Sequence, residues 1–471
     1  MGRSQMSLDY IDEITHEPRL LFTEPWDPIV VRRGDALGLL ALTNTFAETI
    51  APGLSNRVRD GRWVTILAWC LVRSQQVFHA SGSRSVSTRA EQNRRYAWLR
   101  PLELMWCARA MALAEDDWRE RPLLGRRRVQ PWYEDYKNRP YCADRFGMSV
   151  DQFRAYRQTG TYGAYRVAFR KWPEMTIGGD GWTPGPATTK LAKWLDVRLG
   201  SARPEWHLHA SGGNDEGISI RSAKIGRGDE CRWWLQNWTN FDSGGSRADE
   251  TLPRPRDEFE VLPEVDLLHP IVFGDLGGKR RHKAAVEIAK CSAKDHIGIC
   301  RHLGRIFRDE EPAIALLPHF SRLADAGIAA MQVIAKSLGG KSQVSLSEAA
   351  SSSSAGRVCE ELYAAARDWP IGGDLSLRHI ETAHRFANAI PSADPIECFT
   401  ALLHHHELYG GGLRWFVLRN GHVEPRLPPS ATVSGYRFRL WSLCRLATQC
   451  GVIRDMPDGL LEEDEELVEE A

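Results

Sequence analysis

Apolar residues recur at the spacing of an α-helix in several separate stretches of this chain, and this pattern restricts its fold more than any other feature. Side chains three or four positions apart lie on one face of a helix, so each stretch predicts a helix with a buried face. The sequence therefore predicts an α+β fold that is predominantly helical. The clearest stretches are 36–49, 63–78, 94–114, 161–172 and 436–452, with Pro101 expected to kink or restart the third.

The length of the chain predicts more than one domain. At 471 residues it exceeds the roughly 250 to 300 residues at which single hydrophobic cores stop growing. Proline-rich and serine-rich stretches mark the expected linkers. The predicted order is a helical N-terminal region (1–148), a winged-helix-like and β-rich region (149–251), a linker (252–263), a helical region (264–344), a serine-rich linker (345–356), a C-terminal unit of helices and a β-hairpin (357–454) and an acidic tail (455–471).

The segment 149–200 has the order of elements expected of a winged helix-turn-helix. Ser149 and Gln152 form a capping box that opens a first helix, and Thr159-Gly160 predicts the turn after it. A second helix follows over 161–172, and a third begins at Pro186. Between them the glycine-rich run 178–181 predicts a small hairpin over 175–183, in the position of the wing.

Charge is distributed unevenly along a chain that is neutral as a whole, with 61 basic and 61 acidic residues. The stretch 57–171 holds 23 Lys and Arg against 11 Asp and Glu, whereas the last 17 residues hold nine acids and no base. Such asymmetry indicates an anionic partner for the basic stretch, and nucleic acid, most simply DNA, is the expected one. The alternative is a solvated arginine face that nearby acids offset.

On the second predicted helix an aromatic stripe is expected to pack into the core, which leaves the basic residues facing solvent. In a winged helix this element enters the major groove, where arginine contacts phosphates or guanine edges. The alternative is a winged helix that binds a protein, since a fold does not decide a function. The predicted nucleic-acid-binding residues are Arg94, Arg95, Arg126, Arg127, Arg128, Arg157, Arg166, Arg170 and Lys171.

The best candidate for metal-dependent chemistry is the run His404, His405, His406 and Glu407. Histidines beside a carboxylate could hold a metal for a nuclease. This run lacks, however, the HExxH spacing that places two ligands one helical turn apart. The alternative, which we favour, is capping, hydrogen bonding in the core or a contact with a partner.

Ten cysteines are scattered along the chain without CxxC pairs, which favours reduced thiols and a cytoplasmic protein. The chain contains one further set of residues of the types that bind zinc. These residues are expected on a single continuous helix, where they could not converge on one ion. That set is Cys291, His296, Cys300 and His302. The longest apolar run, 63–72, is too short to span a bilayer, so no membrane partner is predicted. No complete catalytic motif is present, and no cofactor is predicted either.

Near the C-terminus, Asn420-Gly421 between two apolar stretches predicts a β-hairpin with a type I′ turn. Pro425 is expected to confine the second strand to a sheet edge, because proline cannot donate a ladder hydrogen bond. A closing helix is expected over 436–452, with Tyr436 and Leu440 on its buried face.

Two parts of the chain carry a family resemblance. Residues 42–73, with Pro52-Gly53-Leu54 and the run 59–63, and the C-terminal runs 405–415 and 436–441 resemble large uncharacterised bacterial proteins of anti-phage defence islands. The resemblance covers about a third of the chain. It implies a genome-defence component acting beside helicase, nuclease or methylase subunits, and it transfers no catalytic residues.

These observations predict an accessory nucleic-acid-binding subunit of a bacterial defence complex, working with other protein subunits of that system. One alternative is a metal-dependent nuclease that uses the run 404–407. Another is a protein-interaction scaffold, in which the acidic tail docks on a basic partner or on the chain's own arginine-rich face.

Overall fold

The computed structural model describes residues 35–55, 57–80, 89–114, 123–126, 129–131, 133–134, 160–200, 245–254, 260–293, 295–370, 377–411, 414–426, 436, 438–457 and 460. Within these residues the chain is predominantly helical and carries one small sheet, which confirms the predicted class. Among them, no helix combines the length and the apolar character needed to cross a membrane.

Six helices with defined bounds lie in the first part of the described chain. They are α1 (Leu40–Ile50), α2 (Gly61–Ala80), α3 (Arg89–Leu113), α4 (Thr161–Lys171), α5 (Pro186–Leu199) and α6 (Gly245–Thr251). Helix α2 lies at their centre and packs against both α3 and α5. Helix α3 runs through Pro101 as one element, so of the two predicted outcomes, a kink or a restart, the restart does not occur.

Nine helices follow. They are α7 (Val265–Phe273), α8 (Leu276–Ala289), α9 (His296–Ile306), α10 (Leu317–Leu338), α11 (Leu346–Ala350), α12 (Ala355–Arg367), α13 (Ile380–Ala389), α14 (Pro395–Tyr409) and α15 (Leu440–Gln449). The expectation of one helix from 291 to 302 is wrong. Helix α8 ends at Ala289, and the carboxylate of Asp295 then accepts a hydrogen bond from Gly298 N (2.6 Å) as the N-cap of α9.

The sheet contains β1 (Val344–Ser345), β2 (Phe416–Arg419) and β3 (His422–Pro425), all antiparallel in the order β1-β3-β2. Positive φ at Asn420 (48°) and Gly421 (76°) gives the predicted hairpin turn between β2 and β3. Strand β3 is central, so its predicted place at an edge is wrong. Pro425 is tolerated because β1 pairs only with His422 and Val423, and Pro425 faces β2 alone.

The serine-rich stretch 345–356, expected as a linker, is part of the packed structure. It contains the end of β1, all of α11 and the start of α12. Ser345 caps α11 by accepting a hydrogen bond from Glu348 N (3.1 Å), and Leu346 and Ala349 are buried. The other expected linker, 252–263, is described in part, and its Leu252 and Leu262 are buried. The division into domains stays a prediction.

Buried apolar side chains from Ala36 to Leu460 belong to one hydrophobic cluster. Helix α15 lies inside it, with each of its ten residues buried. The helix is shorter than the predicted 436–452, and Tyr436 precedes it. The Tyr436 hydroxyl donates to the Asp35 carboxylate (2.5 Å) and accepts from Leu37 N (2.9 Å), which joins the two ends of the described chain.

Candidate functional site

Helix α4 is anchored by its aromatic stripe, as predicted. Tyr162, Tyr165, Phe169 and Trp172 are all buried. The Tyr165 hydroxyl accepts hydrogen bonds from the backbone N–H groups of Arg59 (3.1 Å) and Asp60 (2.9 Å), and donates to the Asp60 carbonyl (3.1 Å). These bonds hold α4 against the segment that leads into α2, so the opposite face of α4 is available to solvent.

Two predicted arginines lie side by side over the glycine-rich turn that follows α4. Arg170 Nε donates to the Gly179 carbonyl (3.3 Å), and Arg166 donates to the Asp180 carbonyl (3.5 Å). The Arg166 guanidinium also lies over the Trp182 ring, 4.6 Å from its centroid. Gly181 has φ 73°, and a Cβ there would come within 2.8 Å of Arg170 Cγ. Glycine at this position therefore lets the turn approach both arginine stems.

The turn beneath these arginines differs from the predicted hairpin. A single bridge, between Thr176 and Pro184, closes it, and a 3-10 helix over Ile177–Gly179 fills it. The Asp180 carboxylate accepts from Trp182 N (2.6 Å) and from Thr183 N (2.8 Å) and Oγ (2.6 Å). This local hydrogen bonding competes with strand pairing and gives a compact turn in place of a ladder. The first predicted helix, 149–157, lies outside the described residues.

The three basic residues of α4 are in different electrostatic situations. Lys171 Nζ is bound to Glu48 (2.6 Å), which also accepts from Arg439 (2.8 Å) and Gly53 N (3.0 Å). Burial alone would raise the pKa of Glu48, but these hydrogen bonds outweigh burial and lower it. Arg166 is half-buried, whereas Arg170 is exposed and makes no ion pair with the described part of the chain.

Two lysines that sequence reasoning missed lie on the next helix. Lys190 and Lys193 are exposed on α5, away from its buried Leu191 and Leu195, and neither forms an ion pair with the residues described. Their i, i+3 spacing on the polar side of an amphipathic pattern was a readable signal. The helix that follows α4 thus also carries exposed cations.

The placement of the other predicted contact residues is described only in part. Arg126 is half-buried in a short described segment. Arg94 and Arg95 belong to α3, but their side chains are not among those described. Arg127, Arg128 and Arg157 lie outside the described residues, so their part in a basic surface stays a prediction.

The histidine run lies on α14 and holds the start of the described chain in place. His405 Nε2 donates to the Leu37 carbonyl (3.0 Å), and His406 Nδ1 donates to the Ala36 carbonyl (2.7 Å). Trp415 N donates to His406 Nε2 (2.9 Å). Both imidazoles are buried, and burial lowers the pKa of each. The favoured interpretation, hydrogen bonding in the core, is confirmed for these two.

The remaining members of the run point elsewhere, because successive residues of a helix project about 100° apart. His404 is exposed, and Glu407 is half-buried and pairs with Arg414 (3.5 Å). Within the described ranges, no group of three or more His, Cys, Asp or Glu side chains is placed to hold a metal ion. The run 404–407 therefore does not form a common centre.

No family model, curated protein or solved structure matches the chain. The functional argument consequently rests on the side chains themselves.

Proposed function

We propose that this protein is an accessory, nucleic-acid-binding subunit of a bacterial defence complex, with DNA as its expected ligand. The observation that carries the proposal is the exposed Arg170, fixed on the glycine-rich turn beside Arg166 and without an ion pair among the described residues. On the following helix, α5, Lys193 is a further exposed cation without an ion pair among the described residues. The defence context comes from the resemblance of 42–73 and 405–415.

The proposed mode of binding is contact with phosphates. Carbonyl groups of the turn accept hydrogen bonds from both guanidinium groups and so restrict the two side chains. Less side-chain entropy is then lost when an anion binds than would be lost by unrestrained arginines. Each phosphate that is neutralised releases condensed counterions, which makes affinity depend on salt. Such contacts position a protein on the duplex but do not read its sequence.

A winged helix-turn-helix is the architecture that we propose for this surface, with α4 as the helix nearest the nucleic acid. The order of α4, turn and α5 agrees with it, and the compact turn 177–183 would take the place of the wing. Lys171 would contribute less than Arg170, since Glu48 already neutralises it.

Charge reversal tests the proposal. We expect Arg170→Glu with Lys193→Glu to weaken binding of a 20-base-pair duplex, measured by fluorescence anisotropy at 0.1 M salt, by about tenfold. The matched control reverses two exposed arginines of the α9 region, Arg301→Glu with Arg308→Glu, which also lack ion pairs in the described chain. Equal weakening by both pairs would mean that only net charge matters. Wild-type protein that binds neither duplex nor single strands would remove the proposal altogether.

A further inference from the structure

A cleft of about 410 Å³ lies between the corner that joins α4 to α5 and the corner that joins α7 to α8. This volume is within the range of binding sites in proteins. Its lining includes the apolar Leu267, Pro270 and Ile271 and the charged Glu174, Lys190 and Asp266. The cleft therefore offers an apolar wall beside a charged rim.

Two carboxylates of this cleft are accessible to a ligand. Glu174 and Asp266 are exposed, and neither side chain makes a hydrogen bond or ion pair with described residues. The carboxylate of Asp275 differs, because it caps α8 and accepts from Arg281 (3.4 Å). Lys190 supplies one positive charge without pairing to either acid. Two accessible carboxylates beside one ammonium group give the cleft a net negative charge, which favours a cationic ligand.

Glu174 has a backbone conformation that is unusual for a residue other than glycine. Its φ of 57° lies in the left-handed region, which favours glycine. The conformation turns its carbonyl toward α5, where it accepts from Ala187 N (3.1 Å). Arg439 has a similar φ of 66°, but its guanidinium is used internally, on Glu48 (2.8 Å). The Glu174 carboxylate has no such internal role, and strained residues of this kind cluster at binding sites.

An exposed leucine directly follows a residue that lines the cleft. The leucine is Leu276, which follows Asp275 and has a relative solvent exposure of 86%. It is the most exposed large hydrophobic residue of the described chain. Pro270, also exposed, belongs to the lining. Apolar surface rimmed by charge is typical of protein contacts.

We propose that this cleft is a docking site for a partner protein that inserts a basic side chain, arginine or lysine, between Glu174 and Asp266. An apolar residue next to that side chain would pack on Leu276. Charge complementarity selects this occupant over an anionic one. The inference rests on Glu174 and Asp266, not on the arginines of α4, and does not depend on nucleic-acid binding.

The test uses the full chain and two acetylated, amidated peptides, Gly-Leu-Arg-Gly and Gly-Leu-Glu-Gly, titrated by saturation-transfer NMR. We expect the arginine peptide to bind at least fivefold more tightly than the glutamate peptide. Glu174→Gln and Asp266→Asn should each weaken it by about fivefold. Glu360→Gln, which changes an exposed glutamate of α12 without a described partner, should leave binding unchanged.

A second substitution separates a ligand-binding role from a structural one. Glu174→Gly keeps the left-handed conformation available, so the thermal midpoint should stay the same or rise while the arginine peptide binds as weakly as to Glu174→Gln. A midpoint lowered by several degrees would mean that the side chain supports the fold and would overturn the proposal. Equal or absent binding of the two peptides, or full binding by Glu174→Gln, would overturn it as well.

Discussion

The hydroxyl group of Tyr165 provides a sharp test of how α4 is held. Tyr165→Phe removes one buried oxygen and leaves the ring in place. Three hydrogen bonds disappear with it: those accepted from Arg59 N and Asp60 N and the one donated to the Asp60 carbonyl. We therefore expect Tyr165→Phe to destabilise the protein more than the removal of a hydroxyl that makes a single hydrogen bond.

The magnitude follows from what the backbone groups lose. A buried polar group left without its partner costs about 1 to 3 kcal/mol. The bond from Asp60 N is buried and that from Arg59 N is partly buried, so water can compensate the second more easily. We expect Tyr165→Phe to lower the free energy of unfolding by roughly 2 to 4 kcal/mol.

Equilibrium unfolding in urea, followed by tryptophan fluorescence, measures this loss. The control is Tyr363→Phe, because the half-buried Tyr363 of α12 has no hydrogen bond through its hydroxyl in the described structure. That control should change stability by less than about 0.5 kcal/mol. A Tyr165→Phe protein as stable as the Tyr363→Phe protein would refute the anchoring of α4 by this hydroxyl.

Two further predictions concern the C-terminal half. Burial lowers the pKa of His405 and His406 from 6.5, so the unfolded chain takes up protons first and stability falls as pH drops below about 6.5 toward the folded pKa values. Urea midpoints at pH 7.5 and 5.5 measure this, and His406→Gln should lose less between them; an equal loss would contradict the assignment. Gly421→Ala should cost about 1 kcal/mol because of its φ of 76°. Gly356→Ala, in a helix with open space around it, should stabilise the protein by up to about 1 kcal/mol. Thermal unfolding of both glycine variants measures these changes. The opposite order of the two glycine variants would show that backbone conformation does not control them.

Local features of the fold were predictable because their causes are local in the sequence. Apolar spacing predicted α1, α2, α4 and α15 to within several residues, and Pro186 predicted the start of α5. The Asn420-Gly421 turn followed from the positive φ that a type I′ turn demands at both positions. The break between α8 and α9 was also readable, since Asp295 is a standard N-cap residue, but the apolar pattern was extended across it.

Features that depend on tertiary contacts were beyond sequence reasoning. The central place of β3 depends on β1, a strand of two residues about 80 positions earlier in the chain. Arg445 and Asp60 form a buried ion pair (3.4 Å) although they are 385 positions apart, and neither carries a local signal. Likewise, only the fold shows that His405 and His406 bind the carbonyls of Leu37 and Ala36.

The candidate site was predictable in part. The aromatic stripe of α4 correctly indicated which face is buried, and so which face carries Arg166 and Arg170. The neutralisation of Lys171 by Glu48 was not predictable, because Glu48 lies on α1, 123 positions away. The roles of the arginines outside the described residues stay predictions, as does the winged helix itself.

The salt dependence of DNA binding tests the central proposal most directly. The slope of log K against log salt concentration is measured for wild type, Arg170→Gln and the control Arg301→Gln on one duplex. If Arg170 neutralises a phosphate, its loss should reduce the magnitude of the slope by about 0.9, and the control should keep the wild-type slope. A slope that is the same for all three proteins would contradict phosphate contact by the arginine face of α4.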